Sequence, residues 1–324
     1  MKKFLKWGTG ITLVLIVIGI FLLNHFGPTL GAKVGMPIYI FPPSATRYGE
    51  IAIEIMDDQG YFVNEEEWSK QKKQAMNKLA NISNYEEAYP IIEEALKIAG
   101  GKHSFLLQSE EKEATYAKDM MPQVERNANV LFVQLPAIMD AEKNGKKYAE
   151  IVLEALNKNK EIKGIVIDLQ ENTGGDMGPM ITAVSPLLPD GEILYFEHHL
   201  YDQPVVLKNG EVTGGGTTIT TDIPSFKMDV PVAILTNERT GSSAEAVVMS
   251  FLDLENVRTF GQPTAGYASG NASYPLYDRS ILYLTVAYNK TVNGQVFFDE
   301  PIPVDLETDN PREEAINWLS SSVQ

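Results

Sequence analysis

The sequence contains no cysteine. That excludes disulfides, thiolate nucleophiles and cysteine-ligated zinc. Histidine is scarce, with four residues at positions 25, 103, 198 and 199. So few leave little room for a histidine-rich metal site, and neither a metal nor a cofactor is expected. Positive charge is also in short supply: 27 Lys+Arg stand against 43 Asp+Glu, a net charge of −16. A nucleic-acid binder needs a basic face to displace counterions from phosphates, so no nucleic-acid partner is expected. What is present is globular in character, with 44% hydrophobic and 22% charged residues. At about 150 residues per domain, 324 residues suggest two domains.

A long apolar run stands at the N-terminus. Lys2, Lys3 and Lys6 precede an apolar stretch from about Trp7 to Leu23, and Asn24 and His25 end it. At 1.5 Å rise per residue the stretch is near the short limit for crossing a bilayer. No A-x-A cleavage site follows it, and without cysteine no lipid can be attached through one, so an uncleaved signal anchor is expected rather than a cleaved signal peptide. The three lysines would stay cytoplasmic and the rest would lie outside. No acidic residue occurs before Glu50, so beyond the three lysines 24 basic residues face 43 acidic ones, a net −19. Such a charge serves solubility, and it also attracts cationic ligands.

Residues 31–43 (GAKVGMPIYIFPP) read as an extended linker. Residues 44–99 carry helical patterns: an apolar stretch at Ile51, Ile53, Ile55 and Met56, a charged-faced segment over residues 64–79, and a third over residues 85–98. Gly100-Gly101 stops the last. From about residue 113 apolar strands alternate with helices. Strands are expected at 130–135, 164–169, 192–200, 230–236, 257–261 and 281–288, and helices at 148–156, from 180, at 242–254 and at 311–319. This is the pattern of an α/β sheet covered on both faces. The expected division is anchor and linker (1–31), helical cap (32–108) and catalytic core (109–324).

Three short elements could carry chemistry. Thr240-Gly241-Ser242-Ser243-Ala244-Glu245-Ala246 follows the strand VAILT and opens a helix, which would set a serine beside free backbone N–H groups. The plain alternative is a capping box formed by Ser242 and Glu245. Asn172-Thr173-Gly174-Gly175-Asp176-Met177 follows the strand GIVIDL, and its glycines allow close backbone approach to a ligand; an ordinary tight turn would look the same. Gly100-Gly101-Lys102-His103-Ser104-Phe105 holds a histidine, the usual base for a serine nucleophile. His198 and His199 sit in a strand pattern and His25 in the anchor, which leaves His103 as the best-placed base.

Together these elements resemble the tail-specific (C-terminal processing) serine peptidase family. The resemblance covers about residues 90–305 and rests on TGSSAEA at 240–246, VRTFGQPTAGYASGN at 257–271, KGIVIDLQENTGG at 163–175 and GGKHSFLL at 100–107. It implies a ClpP/crotonase-like catalytic core with Ser242 as nucleophile. The family's frequent catalytic lysine would fall at Tyr267, so it is missing here; members without it use a histidine at the place of His103. The resemblance implies an oxyanion hole from the backbone N–H groups of Ser243 and Gly174, and Glu300 as a candidate acid to orient His103. It further implies a cleft lined by Asn172, Asp176 and Met177. Only about 25 residues separate His103 from VLFVQL, too few for the family's PDZ domain. The chain looks most like a short, membrane-anchored, outward-facing branch that clips cationic lantibiotic peptides near the C-terminus. The expected partners are thus a peptide substrate, a cationic lantibiotic, and the membrane through the anchor. The alternatives are a peptidase for other cell-envelope substrates, a peptide-sequestering immunity protein and, more remotely, a thioester-processing relative.

Overall fold

The computed structural model describes residues 2–64, 66–116 and 119–321, excepting the side chains of residues 2–11, 112, 113, 115 and 116. The chain forms two compact units: Met1–Lys112 with Asn271–Val286, and Glu113–Gly270 with Ala287–Gln324.

The first unit begins with α1 (Lys2–Ala32), which runs past Asn24 and His25 and through Pro28. Neither polar residue breaks a helix, and the following segment braces this end. Met36 N–H donates to Gly31 O (2.9 Å), Ile38 N–H to Gly27 O (3.2 Å) and Phe41 N–H to Asn24 Oδ1 (2.9 Å). Three helices follow: α2 (Ala45–Gln59), α3 (Glu66–Leu79) and α4 (Tyr89–Ala99). Ser44 caps α2 by accepting the Arg47 N–H at 3.2 Å, and Pro90 stands in the first turn of α4, where its missing N–H costs nothing. Their apolar faces meet in a core that includes Tyr48, Ile51, Ile55, Trp68, Leu79, Ile92 and Leu96. A single 3₁₀ turn (Gly101–His103) leads to β1 (Phe105–Leu107) and α5 (Ser109–Tyr116).

The second unit contains β2 (Gln123–Asn127), β3 (Val130–Gln134), α6 (Ala141–Lys158), β4 (Gly164–Asp168), α7 (Met177–Val184), the antiparallel β5 (Gly191–Glu197), β6 (Asp202–Lys208) and β7 (Glu211–Thr213), then β8 (Val232–Thr236), α8 (Ser243–Met249) and β9 (Val257–Gly261). The strands β10 (Ser269–Pro275) and β11 (Ile281–Lys290) follow. Their residues 271–286 belong to the first unit, where Tyr274, Leu276, Leu282 and Leu284 enter the helical core and Phe105–Leu107 pairs with Ile281–Tyr283. At the bend between them Asp278 Oδ2 accepts the hydroxyls of Tyr48 (3.0 Å), Tyr89 (2.8 Å) and Ser280 (2.8 Å). The chain closes in the second unit with β12 (Leu306–Glu307) and α9 (Pro311–Ser321).

The main sheet of the second unit has the order β12-β9-β8-β4-β3-β2; every pairing is parallel except β2 with β3. Its central strands β3, β4 and β8 are buried on both faces, as parallel strands must be. Ile165, Ile167 and Ile234 enter one core with α6, α7 and α8, while Val166, Ala233 and Leu235 alternate into a second core with Ala315 and Leu319 of α9. The expected α/β sheet, covered on both faces, is therefore present. Adjacent parallel strands β4 and β8 both end at the same edge, and the turns that leave them carry two of the three candidate motifs. Loops at the carboxyl ends of parallel strands are where open α/β sheets bind ligands.

Candidate active site

The turn after β8 holds Ser242 at φ 56°, ψ −119°. A left-handed φ costs a non-glycine residue roughly 1–2 kcal/mol, and it persists only where the surroundings fix it. Those surroundings are visible. Glu245 Oε2 accepts the Ser242 N–H at 2.8 Å, so the glutamate half of the expected capping box is formed. The same carboxylate reaches much further than a cap. Its Oε1 accepts Thr264 Oγ1 (2.5 Å) and Gly266 N–H (2.8 Å), and Oε2 also accepts Tyr267 N–H (2.8 Å). Glu245 is fully buried, and burial pushes its pKa up against the pull of these hydrogen bonds. All four contacts are donors, so the arrangement suits the ionised form.

The turn after β4 is stapled to the serine turn. Gly241 N–H donates to Asn172 O (2.9 Å), and Ser243 Oγ donates to Gly175 O (2.6 Å). Gly174 (φ 110°) and Gly175 (φ 108°) occupy backbone space that favours glycine. A Cβ on Gly174 would lie 2.6 Å from Ser242 Cβ and 3.0 Å from its Oγ; one on Gly175 would lie 2.0 Å from Ile138 O. Glycine at 174 is thus what lets this backbone touch the serine.

Several expected site residues have more specific surroundings than the sequence suggested. Asn172 is 1% exposed. Its Nδ2 donates to Leu135 O (2.8 Å) and its Oδ1 accepts the Gly174 N–H (2.9 Å), which makes it a buried bracket for the turn instead of an open cleft wall. The Gly174 N–H, expected to face an oxyanion, is therefore engaged by Asn172. The next donor along differs. Gly174 O accepts the Ile138 N–H (3.3 Å), and the peptide is trans, so the Gly175 N–H points away from Ile138. Neither the Gly175 N–H nor the Ser243 N–H has a hydrogen-bond partner among the described residues. Asp176 caps α7 through the Gly178 N–H (2.9 Å) and holds the Thr217 N–H (2.9 Å) and hydroxyl (2.7 Å). Met177 is buried in the core. The exposed residues of this turn are Thr173 and Gly175. Glu300 is exposed on a turn closed by its own N–H to Phe297 O (2.9 Å); its carboxylate has no hydrogen bond or ion pair among the described residues.

In the first unit, His103 ends the 3₁₀ turn. Its carbonyl accepts Asn271 Nδ2 (2.8 Å), and Asn271 Oδ1 accepts the Thr285 hydroxyl (2.8 Å). Ser104 beside it donates to Gly100 O (3.0 Å) and accepts the Thr285 N–H (2.9 Å), which fixes this backbone firmly. Burial, and then the Lys102 charge, lower the His103 pKa to about 4, so its imidazole is neutral and able to accept a proton at pH 7. The side chain of Tyr267, at the position of the missing lysine, comes to 3.6 Å from where a Gly241 Cβ would stand. No group of three or more metal-ligating side chains occurs among the described residues.

Sequence reasoning missed Glu245 as a clamp. Its signal, a glutamate three residues after the serine, was visible, but its partners at 264–267 are non-local.

A serine at a strained strand-to-helix junction, packed on a glycine turn, is an arrangement in which serine hydrolases present a nucleophile. The chain belongs to peptidase family S41, whose sequence pattern matches residues 129–308, and is a serine-type peptidase. It is 36% identical to the nisin-resistance protein of Lactococcus lactis subsp. lactis over 89% of this chain and 91% of that one. A CtpA-like serine protease of Staphylococcus aureus is 24% identical over 50% of this chain, covering 30% of its own length. Among solved structures, a lipoprotein from Streptococcus agalactiae aligns with a TM-score of 0.77 at 31% identity, over 88% of this chain and 99% of that one. The photosystem II D1 C-terminal processing protease shares the fold, with a TM-score of 0.56 at 14% identity over 87% of this chain and 99% of its own.

Proposed function

We propose that this chain is a membrane-anchored, outward-facing serine peptidase that cleaves a cationic lantibiotic of the nisin type near its C-terminus and so confers resistance. The observation that carries the catalytic part is the conformation of Ser242, held at φ 56° by Glu245 and set against Gly174. Strained backbone that the surroundings over-determine in this way clusters at active sites. The substrate is suggested by the likeness to the nisin-resistance protein along nearly the whole chain. The acidic balance beyond the anchor favours a cationic peptide, and an anchored enzyme shares its surface with a membrane-seeking substrate.

In this reading Ser242 Oγ attacks the scissile carbonyl and His103, neutral at pH 7, takes the serine proton. The tetrahedral oxyanion is held by the Ser243 N–H and a glycine N–H of the 174–175 turn, where the Gly174 N–H is engaged by Asn172 and the Gly175 N–H is not. His103 then protonates the leaving amine, and water repeats the sequence on the acyl-enzyme. With Tyr267 at the lysine position, a Ser–His dyad replaces Ser–Lys. Glu300 remains the proposed orienting acid. Asp176 and Met177 support the substrate cleft from behind the glycine turn. In the proposed division residues 1–31 anchor, 32–108 cap and 109–324 catalyse, and α1 supplies the anchor through its apolar run from about Trp7 to Leu23. Lys2, Lys3 and Lys6 set the orientation.

The test is mass spectrometry of nisin incubated with the full chain in vesicles. A C-terminally shortened peptide is expected, absent with Ser242→Ala. Intact peptide at full occupancy would favour sequestration instead.

A further inference from the structure

The sequence from Trp7 to Thr46 contains one lysine, Lys33, and no arginine, aspartate or glutamate, in a chain that is 22% charged. This charge-poor stretch outlasts the apolar run by some twenty residues. The fold accounts for where those residues go. After α1 the chain reverses and runs back down the helix. Met36 is bonded at the level of Gly31, Ile38 at Gly27 and Phe41 at Asn24, the first polar residue after the apolar run. Gly27 and Gly31 make this possible: a Cβ on either would stand 2.9 Å from Ile38 O or 2.2 Å from Met36 O. The strap is thus descending towards the end of the bilayer span. Arg47 bonds His25 O (3.0 Å) and Glu54 (2.5 Å), and such a charged cluster belongs outside hydrocarbon. The span therefore ends at about Leu23. From Asn24 to Gly31 the helix rises roughly 10 Å, enough to pass through one headgroup layer of about 5–8 Å.

Side chains at this level are apolar and uncovered. Phe26 and Leu30 on the helix and Met36, Ile38, Ile40 and Phe41 on the strap are between 37% (Ile40) and 69% (Met36) exposed. Soluble surfaces rarely gather so many large apolar groups in one short segment. We infer that the outer end of α1 (residues 24–32) and the strap 36–41 form a lipid-seating surface, which buries these side chains in the headgroup and upper acyl region of the bilayer and fixes the depth of the first unit against it. The occupant is lipid because the surface continues directly from the membrane span, at the height the hydrogen bonds assign. Such interfacial burial reaches about 5–10 Å into the boundary between headgroups and acyl chains. The inference rests on the anchor proposed above but makes a separate claim: a tether alone would leave the strap in water.

The absence of cysteine makes the test clean. Val17→Cys, Ile38→Cys, Phe41→Cys and Glu93→Cys are spin-labelled one at a time in the full chain and reconstituted into vesicles containing anionic phospholipid. Collision with oxygen is then compared with collision with a water-soluble nickel complex. The expected order of the oxygen-to-nickel ratio is Val17 highest, Ile38 and Phe41 several-fold above Glu93, and Glu93 at the bulk-water value. Water-like ratios at Ile38 and Phe41 with Val17 in hydrocarbon would overturn the seating and leave the anchor standing. Water-like ratios at all sites would overturn both. Spin–spin broadening at Ile38 and Phe41 with water-like ratios would assign the surface to a second copy of the chain and overturn lipid as its occupant.

Discussion

Glu245→Gln tests how the serine turn is held. The variant keeps size and shape but replaces one carboxylate oxygen with an NH2 group. If the nitrogen takes the Oε2 place, it opposes two backbone donors, Ser242 N–H and Tyr267 N–H. If it takes the Oε1 place, it opposes Gly266 N–H, while the Thr264 hydroxyl can turn to accept from it. The second arrangement leaves one buried N–H unpaired instead of two and is therefore favoured. An orphaned buried donor costs about 1–3 kcal/mol, and the loss of charge on the remaining bonds adds to it. Relief of the desolvation that raises the Glu245 pKa offsets part of this. The net loss is about 1–3 kcal/mol, or roughly 3–9 °C in Tm for a unit of this size. Because the favoured arrangement keeps the Ser242 bond, turnover of the folded variant should fall much less than with Glu245→Ala, which orphans all four donors. Calorimetry and kcat measured side by side decide. A Tm within 1 °C of the parent would refute the clamp, as would a kcat as low as that of Glu245→Ala.

Other outcomes follow from the same geometry. With the His103 pKa at about 4 instead of the ordinary 6.5, about 90% of the imidazole is neutral at pH 5, against roughly 3% for an unshifted histidine; kcat/KM should therefore hold down to about pH 5, and an acid limb near 6.5 would contradict the burial of this base. The unfolded chain protonates His103 near 6.5 and the folded chain only near 4, so this residue makes stability fall as pH drops through that window, a trend that His103→Gln should flatten in melts taken from pH 7 to 4. Gly174→Ala adds a left-handed φ cost of about 1–2 kcal/mol and forces its Cβ against Ser242, so kcat should collapse while circular dichroism stays normal. Asp278→Ala strands the hydroxyls of Tyr48, Tyr89 and Ser280 and should lower stability by about 2–4 kcal/mol in denaturant melts.

Much of the fold was legible because its signals are local. Apolar runs such as GIVIDL and VAILT are strands buried on both faces, and they formed at 164–168 and 232–236. The expected helix at 242–254 ends at Met249, where Ser250 bonds back to Ala246 O and turns follow. The polar strand β2 (QVERN) went unread because an exposed edge strand needs no apolar alternation. Helix α1 continues to Ala32 because of the strap that braces it, a contact no helical pattern announces. Residues 271–286 join the helical unit through Asp278 and the core, a partnership of segments more than 180 residues apart. At the site, the motif residues were legible and their bonds were not. Asn172 looked like a cleft residue because it borders the glycines; only its two buried hydrogen bonds show it to be a bracket that occupies the Gly174 N–H.

The central claim is that Ser242 and His103 act as one catalytic unit on a lantibiotic. Turnover of nisin by Ser242→Ala, His103→Ala and the double variant, followed by product mass, tests it most directly. If the two residues form one unit, each single variant loses about 10⁴–10⁶-fold in kcat and the double loses no more than either. Near-normal cleavage by His103→Ala, or losses that multiply in the double variant, would contradict the account.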